Sequence, residues 1–295
     1  MLNVNINNTH IIYIMIVELK KFNMKQLKFN KNKSEGPVIV LLGKRGTGKS
    51  ILIKDILYHN QDLKVGTVMS GTESGNGFFS KVLPKCMIHN EYKQDILRGL
   101  VEHQKAVLKE IKKQKQVYGR PLPDYDGRVF CILDDCLYDT NWTRDKLIRM
   151  LFMNGRHWKV MLIIAMQYPM GIPPVLRTNI DYTFILRESN KSIRRKIYDH
   201  YAGMFDTFEL FEDIMNQTTE DNECLVVANN TKSNKLIDQI FWYKANASIV
   251  NAEFRVGGAE YWARNHLYAS DDDEDTYDSS NYVRGSRINV RKNDW

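Results

Sequence analysis

The octet Gly43-Lys44-Arg45-Gly46-Thr47-Gly48-Lys49-Ser50 reads G-x-x-x-x-G-K-[ST], and the flanking chain fixes how such an octet must fold. Before it, Pro37-Val38-Ile39-Val40-Leu41-Leu42 is apolar and β-branched, as a buried parallel strand is; after it, Ile51-Leu52-Ile53-Lys54-Asp55-Ile56-Leu57 has helical spacing. A chance glycine-rich turn would have no reason to sit between a strand and a helix. Three glycines let the backbone wrap around phosphates with N–H groups pointing inward, and the helix N-terminus adds its positive end. The pattern assigns Gly43, Lys44, Arg45, Gly46, Thr47, Gly48, Lys49 and Ser50 to nucleoside triphosphate binding. Lys49 would reach the β- and γ-phosphates, and the Ser50 hydroxyl would ligate Mg²⁺.

Alternation of strands and helices carries the rest of the fold. Lys64–Met69 reads as a second strand, and the polar, glycine-rich stretch 70–77 follows at its carboxyl end, where α/β proteins bind ligands. From Tyr92 to Val117 the apolar positions keep a 3.6-residue period, predicting a long amphipathic helix whose outer face carries Lys105, Lys109, Lys112, Lys113 and Lys115. That face is a solvated surface or a DNA-facing one. Arg128–Leu133, Val160–Met166 and Asp181–Leu186 are three further strands, Lys191–Met215 is helical, and 223–228 with 237–243 predicts a terminal hairpin that extends the sheet. The expected fold class is α/β, a P-loop NTPase with a mainly parallel sheet flanked by helices. Its expected domains are an N-terminal extension (1–33), an ATPase domain (34–262) and a charged, disordered tail (263–295).

Composition narrows the class without deciding it. A chain of 295 residues holds one large α/β domain with appendages, and a net charge of +7 is compatible with a polyanionic partner but equally with a plain basic surface. Cys86, Cys131, Cys136 and Cys224 form no C-x-x-C pair, and the Cys86 to His89 spacing has no second pair to complete a zinc site, so reduced intracellular thiols are expected. Near the N-terminus, Ile11–Val17 is apolar but too short to span a bilayer and lacks the flanks of a signal peptide, leaving an added edge strand or an extension upstream of a start at Met24.

The chemistry concentrates at strand ends. Asp134 closes an apolar strand, where a carboxylate would hold Mg²⁺ directly or through water, and Asp135 beside it is the candidate base that orients the attacking water. Two adjacent acids are costly unless a cation neutralises them. The 85 residues from Lys49 to Asp134 hold a strand, a loop and a long helix, the spacing of motor-type (RecA-like, ASCE) P-loop ATPases, in which another strand ends in a polar sensor. Gln167, after Leu162-Ile163-Ile164-Ala165-Met166, fills that position. His157 is as well placed to pack or cap as to react, and the aromatics at Trp242 and Tyr243 fit a core better than a base-stacking platform.

Asn154-Gly155-Arg156-His157-Trp158-Lys159-Val160, running into Ile163-Ile164-Ala165-Met166-Gln167-Tyr168-Pro169, resembles the FtsK–HerA superfamily of DNA-pumping ATPases, with an arginine 11 residues before the sensor glutamine. More narrowly, Leu133-Asp134-Asp135-Cys136, residues 151–157, residues 171–181 and Phe241-Trp242-Tyr243-Lys244-Ala245 resemble the genome-packaging ATPases of nucleocytoplasmic large DNA viruses, the poxvirus and giant-virus type, over about Ser34 to Trp262. The resemblance implies an Mg²⁺-dependent ATPase that forms a homo-oligomeric ring and translocates double-stranded DNA, without sequence preference, into preformed capsids. It implies work at the viral assembly site in the host cytoplasm, association with capsid vertex or membrane-associated assembly proteins, and presence in the virion as an option. It also implies that one subunit's arginine completes its neighbour's site, an effect of roughly 10³- to 10⁵-fold. Arg156 is the first candidate for that arginine and Arg177 the second; a salt bridge or a DNA-phosphate contact is the alternative for each. Asp-Asp stands where the superfamily commonly has Asp-Glu, so the second acid here is one methylene shorter. The rival readings are a helicase or conjugation-type DNA pump, a nucleotide kinase, for which an acceptor pocket and basic lid would be needed, and an inactive nucleotide-binding assembly protein. No clustered acids of a nuclease site follow the ATPase core.

Overall fold

A computed structural model describes residues 18–33, 35–122, 125–136, 142 and 145–268. The apolar segment Ile11–Val17 and the charged runs after residue 268 therefore lie outside the described residues. In chain order the elements are β1 (Val38–Leu42), α1 (Lys49–Tyr58), β2 (Val65–Ser70), the single turn α2 (Glu73–Asn76), β3 (Ile88–His89), α3 (Gln94–Tyr118) and β4 (Val129–Asp134). Then follow α4 (Lys146–Asn154), β5 (Val160–Met166), the turn α5 (Pro174–Arg177), β6 (Tyr182–Ile185), α6 (Lys191–Tyr201), α7 (Phe208–Thr218), β7 (Glu223–Ala228), the turn α8 (Leu236–Gln239), β8 (Ile240–Lys244) and the turn α9 (Ala247–Val250).

Among the described residues the strands form one eight-stranded sheet in the order β3-β2-β4-β5-β1-β6-β7-β8. It is parallel from β3 to β6, and β7 and β8 join antiparallel as the expected hairpin. Every side chain of β1, β4 and β5 is buried because both faces of the sheet are covered, which is why these strands read as continuous apolar runs and not as alternation. On one face α3, α4, α6 and α7 bury Leu97, Ile148, Leu151, Ile197 and Phe211; on the other, α1 buries Leu52, Ile53, Ile56 and Leu57. The sheet order places β5 between β1 and β4, so the strand ending at Gln167 separates the phosphate-loop strand from the one ending at Asp134.

Two local expectations are revised. Residues 191–215 form two helices, not one: α6 ends at Tyr201, and Thr207 restarts the chain as α7 by accepting a hydrogen bond from the Leu210 N–H at 3.2 Å. The last strand begins at Ile240 rather than at 237, because Ser233 ties Asp238 and Gln239 into the turn α8. Phe22, Met24, Leu27 and Phe29 are buried in the same core as α1, and Lys21 bridges to Trp242 on the edge strand. Arg128, fully buried, holds this segment in place. Its guanidinium donates to the Phe29 carbonyl and pairs with Asp126 at 2.6 Å and Asp62 at 2.9 Å.

Gly66 on β2 sits opposite Phe130 on β4, and the phenyl ring lies across it, 2.3 Å from where a Cβ would stand. Gly66→Ala should therefore destabilise the chain by about 1–3 kcal/mol through overpacking. Adding Phe130→Leu should return part of that loss, giving a coupling of roughly 1 kcal/mol in a denaturation double-mutant cycle. Strict additivity would show that the ring does not lie over the glycine.

Candidate active site

The loop between β1 and α1 turns on two residues in the left-handed region, Gly46 (φ 77°) and Gly48 (φ 101°), and Gly48 is also the residue from which α1 starts. The turn is closed from inside. The Gly43 N–H donates to the Met166 carbonyl at 3.2 Å, the Thr47 hydroxyl donates to the Lys44 carbonyl at 2.8 Å, and the Lys49 ammonium donates to the Gly43 and Lys44 carbonyls at 2.9 and 3.3 Å. Lys49 is buried, and its remaining partner is the Asp135 carboxylate, 3.3 Å away.

Asp135 is brought to Lys49 by a backbone that most residues avoid. Its φ is 47°, in the left-handed region that aspartate tolerates better than larger side chains, while its N–H still continues the β5 ladder to the Ala165 carbonyl. The same carboxylate oxygen accepts from the Gln167 amide at 3.2 Å. Lys49, Asp135 and Gln167, far apart in sequence, thus form one contact chain across the carboxyl ends of β1, β4 and β5.

Asp134 lies beneath them. One oxygen accepts from the Ser70 hydroxyl at 3.3 Å, and the other is buried with no hydrogen-bond partner. Burial and the neighbouring Asp135 charge push its carboxyl up to about 6, against smaller opposing effects of Lys49 and Ser70. A cation bound here would relieve the cost of a buried acid with an orphaned oxygen beside a second acid. Among the described residues no group of three or more His, Cys, Asp or Glu side chains could hold a metal unaided. Mg²⁺ in nucleotide sites binds through one or two protein oxygens and takes its other ligands from phosphate and water. Ser50 and Asp134 are the residues that would hold it.

An open cavity of about 830 Å³ runs over this loop. Gly46, Lys49 and Ser50 line its floor, Thr72 and Asn76 of the stretch after β2 line one wall, and Lys244 and Val250 after β8 line another. The volume suits a nucleotide.

Sequence reasoning missed several supports. Lys44 is held outside the loop by the buried Glu188 carboxylate at 2.7 Å and the Ser189 hydroxyl at 3.0 Å. Glu73, also buried, accepts from the Phe79 and Ser80 N–H groups and fixes the wall after β2. Ser70 had a legible signal, as a polar residue closing an apolar strand; Glu188 had none.

The two arginines stand apart from this cluster. The Arg156 carbonyl accepts from Gly36, just before β1, and its guanidinium lies 3.3 Å from Asp181, just before β6, with Glu35 at 3.8 Å. These contacts put Arg156 at the amino ends of the strands, opposite the phosphate loop. Arg177, at the end of α5, stacks over Tyr201 at 5.5 Å. Neither joins Lys49, Asp134, Asp135 or Gln167 within one chain.

No family model matches the chain. Among its relatives, it is 34% identical over 242 residues to uncharacterized protein L437 of Acanthamoeba polyphaga mimivirus, covering 82% of each chain, and 37% identical over 252 residues to uncharacterized protein 088R of Invertebrate iridescent virus 3, covering 85% of this chain and 92% of that one. The chain belongs to the same family as these proteins of nucleocytoplasmic large DNA viruses. The pCW3 conjugation coupling protein TcpA, solved with ATPγS, shares the fold at 14% identity with a TM-score of 0.51, over 78% of this chain and 70% of TcpA. The genome packaging NTPase B204 from Sulfolobus turreted icosahedral virus 2, solved with sulfate, is 17% identical with a TM-score of 0.49, over 72% and 98%.

The raised Asp134 carboxyl has a measurable consequence. Between its ordinary value of 3.8 and about 6 the unfolded chain has lost this proton while the folded chain keeps it, so the nucleotide-free fold loses stability as pH rises through that window. Asp134→Asn removes the cost. At pH 8 without nucleotide the variant should melt about 5 °C above wild type, the gap closing below pH 4. Equal melting at both pH values would show that Asp134 carries no such burden.

Proposed function

We propose that this chain is an Mg²⁺-dependent ATPase that translocates double-stranded DNA and that its DNA is the viral genome entering a preformed capsid. The observation that carries the reading is the meeting of Lys49, Asp134, Asp135 and Gln167 at the ends of β1, β4 and β5, above the phosphate loop. Family membership and the packaging-type motifs support the viral role, and the net charge of +7 accords with a polyanionic partner.

The residues divide the work as follows. Lys49 exchanges Asp135 for the β- and γ-phosphates, because a phosphate oxygen offers it more charge than a carboxylate shared with Gln167. The exchange releases the Asp135 carboxylate to accept a hydrogen bond from water and aim it at the γ-phosphorus. Gln167, released with it, can donate to a γ-phosphate oxygen and accept from the same water. Backbone N–H groups of Gly46 and Gly48 cradle the phosphates. When bound, the cation held by Ser50 and Asp134 offsets phosphate charge and relieves the cost of ionising Asp134.

Arg156 and Arg177 are assigned to the subunit boundary of a homo-oligomeric ring, where an arginine from one subunit would face its neighbour's phosphates. Arg156 is the better placed, since it is half-buried and held by acids that a neighbour's nucleotide could replace. Duplex contacts would be to phosphates, so binding would be independent of sequence and weakened by salt. The proposed setting is the assembly site in the infected cytoplasm, with a capsid vertex or membrane-associated protein as the dock. Among the described residues no helix is long and apolar enough to cross a membrane. The fold shared with TcpA favours one second reading, a conjugation-type DNA pump; binding to empty capsids would separate the two.

The deciding experiment is phosphate release from Mg·ATP with and without long duplex. Lys49→Ala should lower turnover by about 10²-fold or more, and Gln167→Ala should do so with nucleotide affinity held within a few-fold. Wild-type turnover in Lys49→Ala would remove that residue from the site. Mixing Arg156→Ala with Lys49→Ala subunits should restore part of the activity, and no rescue at any ratio would exclude Arg156 as the shared arginine.

A further inference from the structure

Helix α6 is fastened at both ends to the nucleotide site. At its start, Glu188 accepts from the Asn190 N–H at 2.7 Å while gripping Lys44 of the phosphate loop at 2.7 Å; Asn190 then caps the helix through the Ser192 and Ile193 N–H groups. The Arg194 Nε–H also donates to the Glu188 carbonyl. Further along, the Lys196 ammonium donates to the Tyr168 hydroxyl at 2.9 Å and lies 5.0 Å above the same ring. The Tyr201 hydroxyl donates to the Pro169 carbonyl at 2.6 Å. Tyr168 and Pro169 directly follow the sensor Gln167. One helix therefore bridges the loop that grips the phosphates and the residues behind the glutamine that senses them.

The same helix carries four cations, Lys191, Arg194, Arg195 and Lys196, against one acid, Asp199. Arg194 is occupied, with Asn216 at 2.7 Å and Glu212 at 3.6 Å. Lys191, 76% exposed, has Glu212 at 3.4 Å, and Arg195, 56% exposed, has Asp199 at 3.2 Å. Exposed pairs of this kind are worth little and yield readily to a denser anion. Lys196 has a neutral phenol as its hydrogen-bond acceptor, which a phosphate diester would outcompete by charge.

We propose that α6 is a duplex-contacting surface and that Lys196 is the positioning residue through which DNA reaches the sensor. Without DNA, Lys196 holds Tyr168 and keeps Gln167 on Asp135. Lys191 and Arg195, both stacked over Phe208 on the side towards α7, meet one stretch of the duplex backbone; another backbone phosphate reaches Lys196 on the Tyr168 side and takes the ammonium from the phenol, and the segment behind Gln167 is freed to move. No covalent step is involved. This rests on the reading of the chain as a DNA-stimulated ATPase and adds to it the element that contacts DNA and the bond that gives way.

The test compares wild type with Tyr168→Phe and Lys196→Gln, measuring ATP hydrolysis with and without long linear duplex and duplex affinity against salt. Both variants lack the charged ammonium–phenol bond, so DNA-free hydrolysis should rise, by about fivefold in Tyr168→Phe, the size of one hydrogen bond, and by no more than that in Lys196→Gln, whose amide is a weaker donor, while the DNA-saturated rate stays at the wild-type level. The stimulation ratio should fall by the same factor. Lys196→Gln should also reduce the slope of log affinity against log salt by about one, and Tyr168→Phe should not. A purely structural role would scale both rates together and leave the ratio alone; that result, or an unchanged salt slope in Lys196→Gln, overturns the proposal. Wild type that hydrolyses ATP but ignores duplex overturns it too while leaving the ATPase reading intact. Wild type that hydrolyses nothing removes both.

Discussion

A buried carboxylate with one oxygen left unbonded governs this structure. Asp134 stands at the end of a strand whose every side chain is covered, with one oxygen unbonded and a second acid beside it. Its ionisation costs free energy, and a bound cation would return that cost. The neighbouring contacts read as a resting arrangement around that cost. Lys49 lies against Asp135 and Gln167 holds the same oxygen, so the groups that would handle a triphosphate occupy one another.

The sheet exists to hold those few atoms in register. β5 lies between β1 and β4, and its pairing with both sets the Gln167 amide level with Asp135. α1 must not tilt, since it aims the phosphate loop. Asp55, buried on its inner side, accepts from the Tyr243 hydroxyl at 2.5 Å, and Asn60, just past its end, bonds the Phe29 N–H at 2.8 Å. The terminal hairpin and residues 18–33 thus brace the loop from the side away from the acids. Arg128 completes the brace by tying the latter segment to β4.

Much of this was legible because the relevant signals are local. Lys49 and Ser50 follow an apolar run and open a helix; Asp134, Asp135 and Gln167 each close an apolar run, and burial of both sheet faces makes such runs conspicuous. What stayed hidden depends on packing between distant residues. The grip of Glu188 on Lys44 joins positions 144 apart with no pattern at either end. The positions 22, 24, 27 and 29 follow neither a helical nor a strand period, because the segment folds irregularly over a ready-made surface. Residues 191–215 read as one helix since apolar spacing resumes in phase, and the break lies in the cap at Thr207. The separation of Arg156 from Gln167 was legible as well, because the strand read at Val160–Met166 lies between them and sets the two at opposite ends of the sheet.

The central claim, that Asp134 waits for a cation, is tested most directly by counting protons. Binding of magnesium with a non-hydrolysable ATP analogue, followed by calorimetry at pH 6 in buffers of different ionisation enthalpy, should release about half a proton more from wild type than from Asp134→Asn. The difference should vanish at pH 8, where the carboxyl is already ionised. Equal proton release by the two proteins at pH 6 would contradict the account.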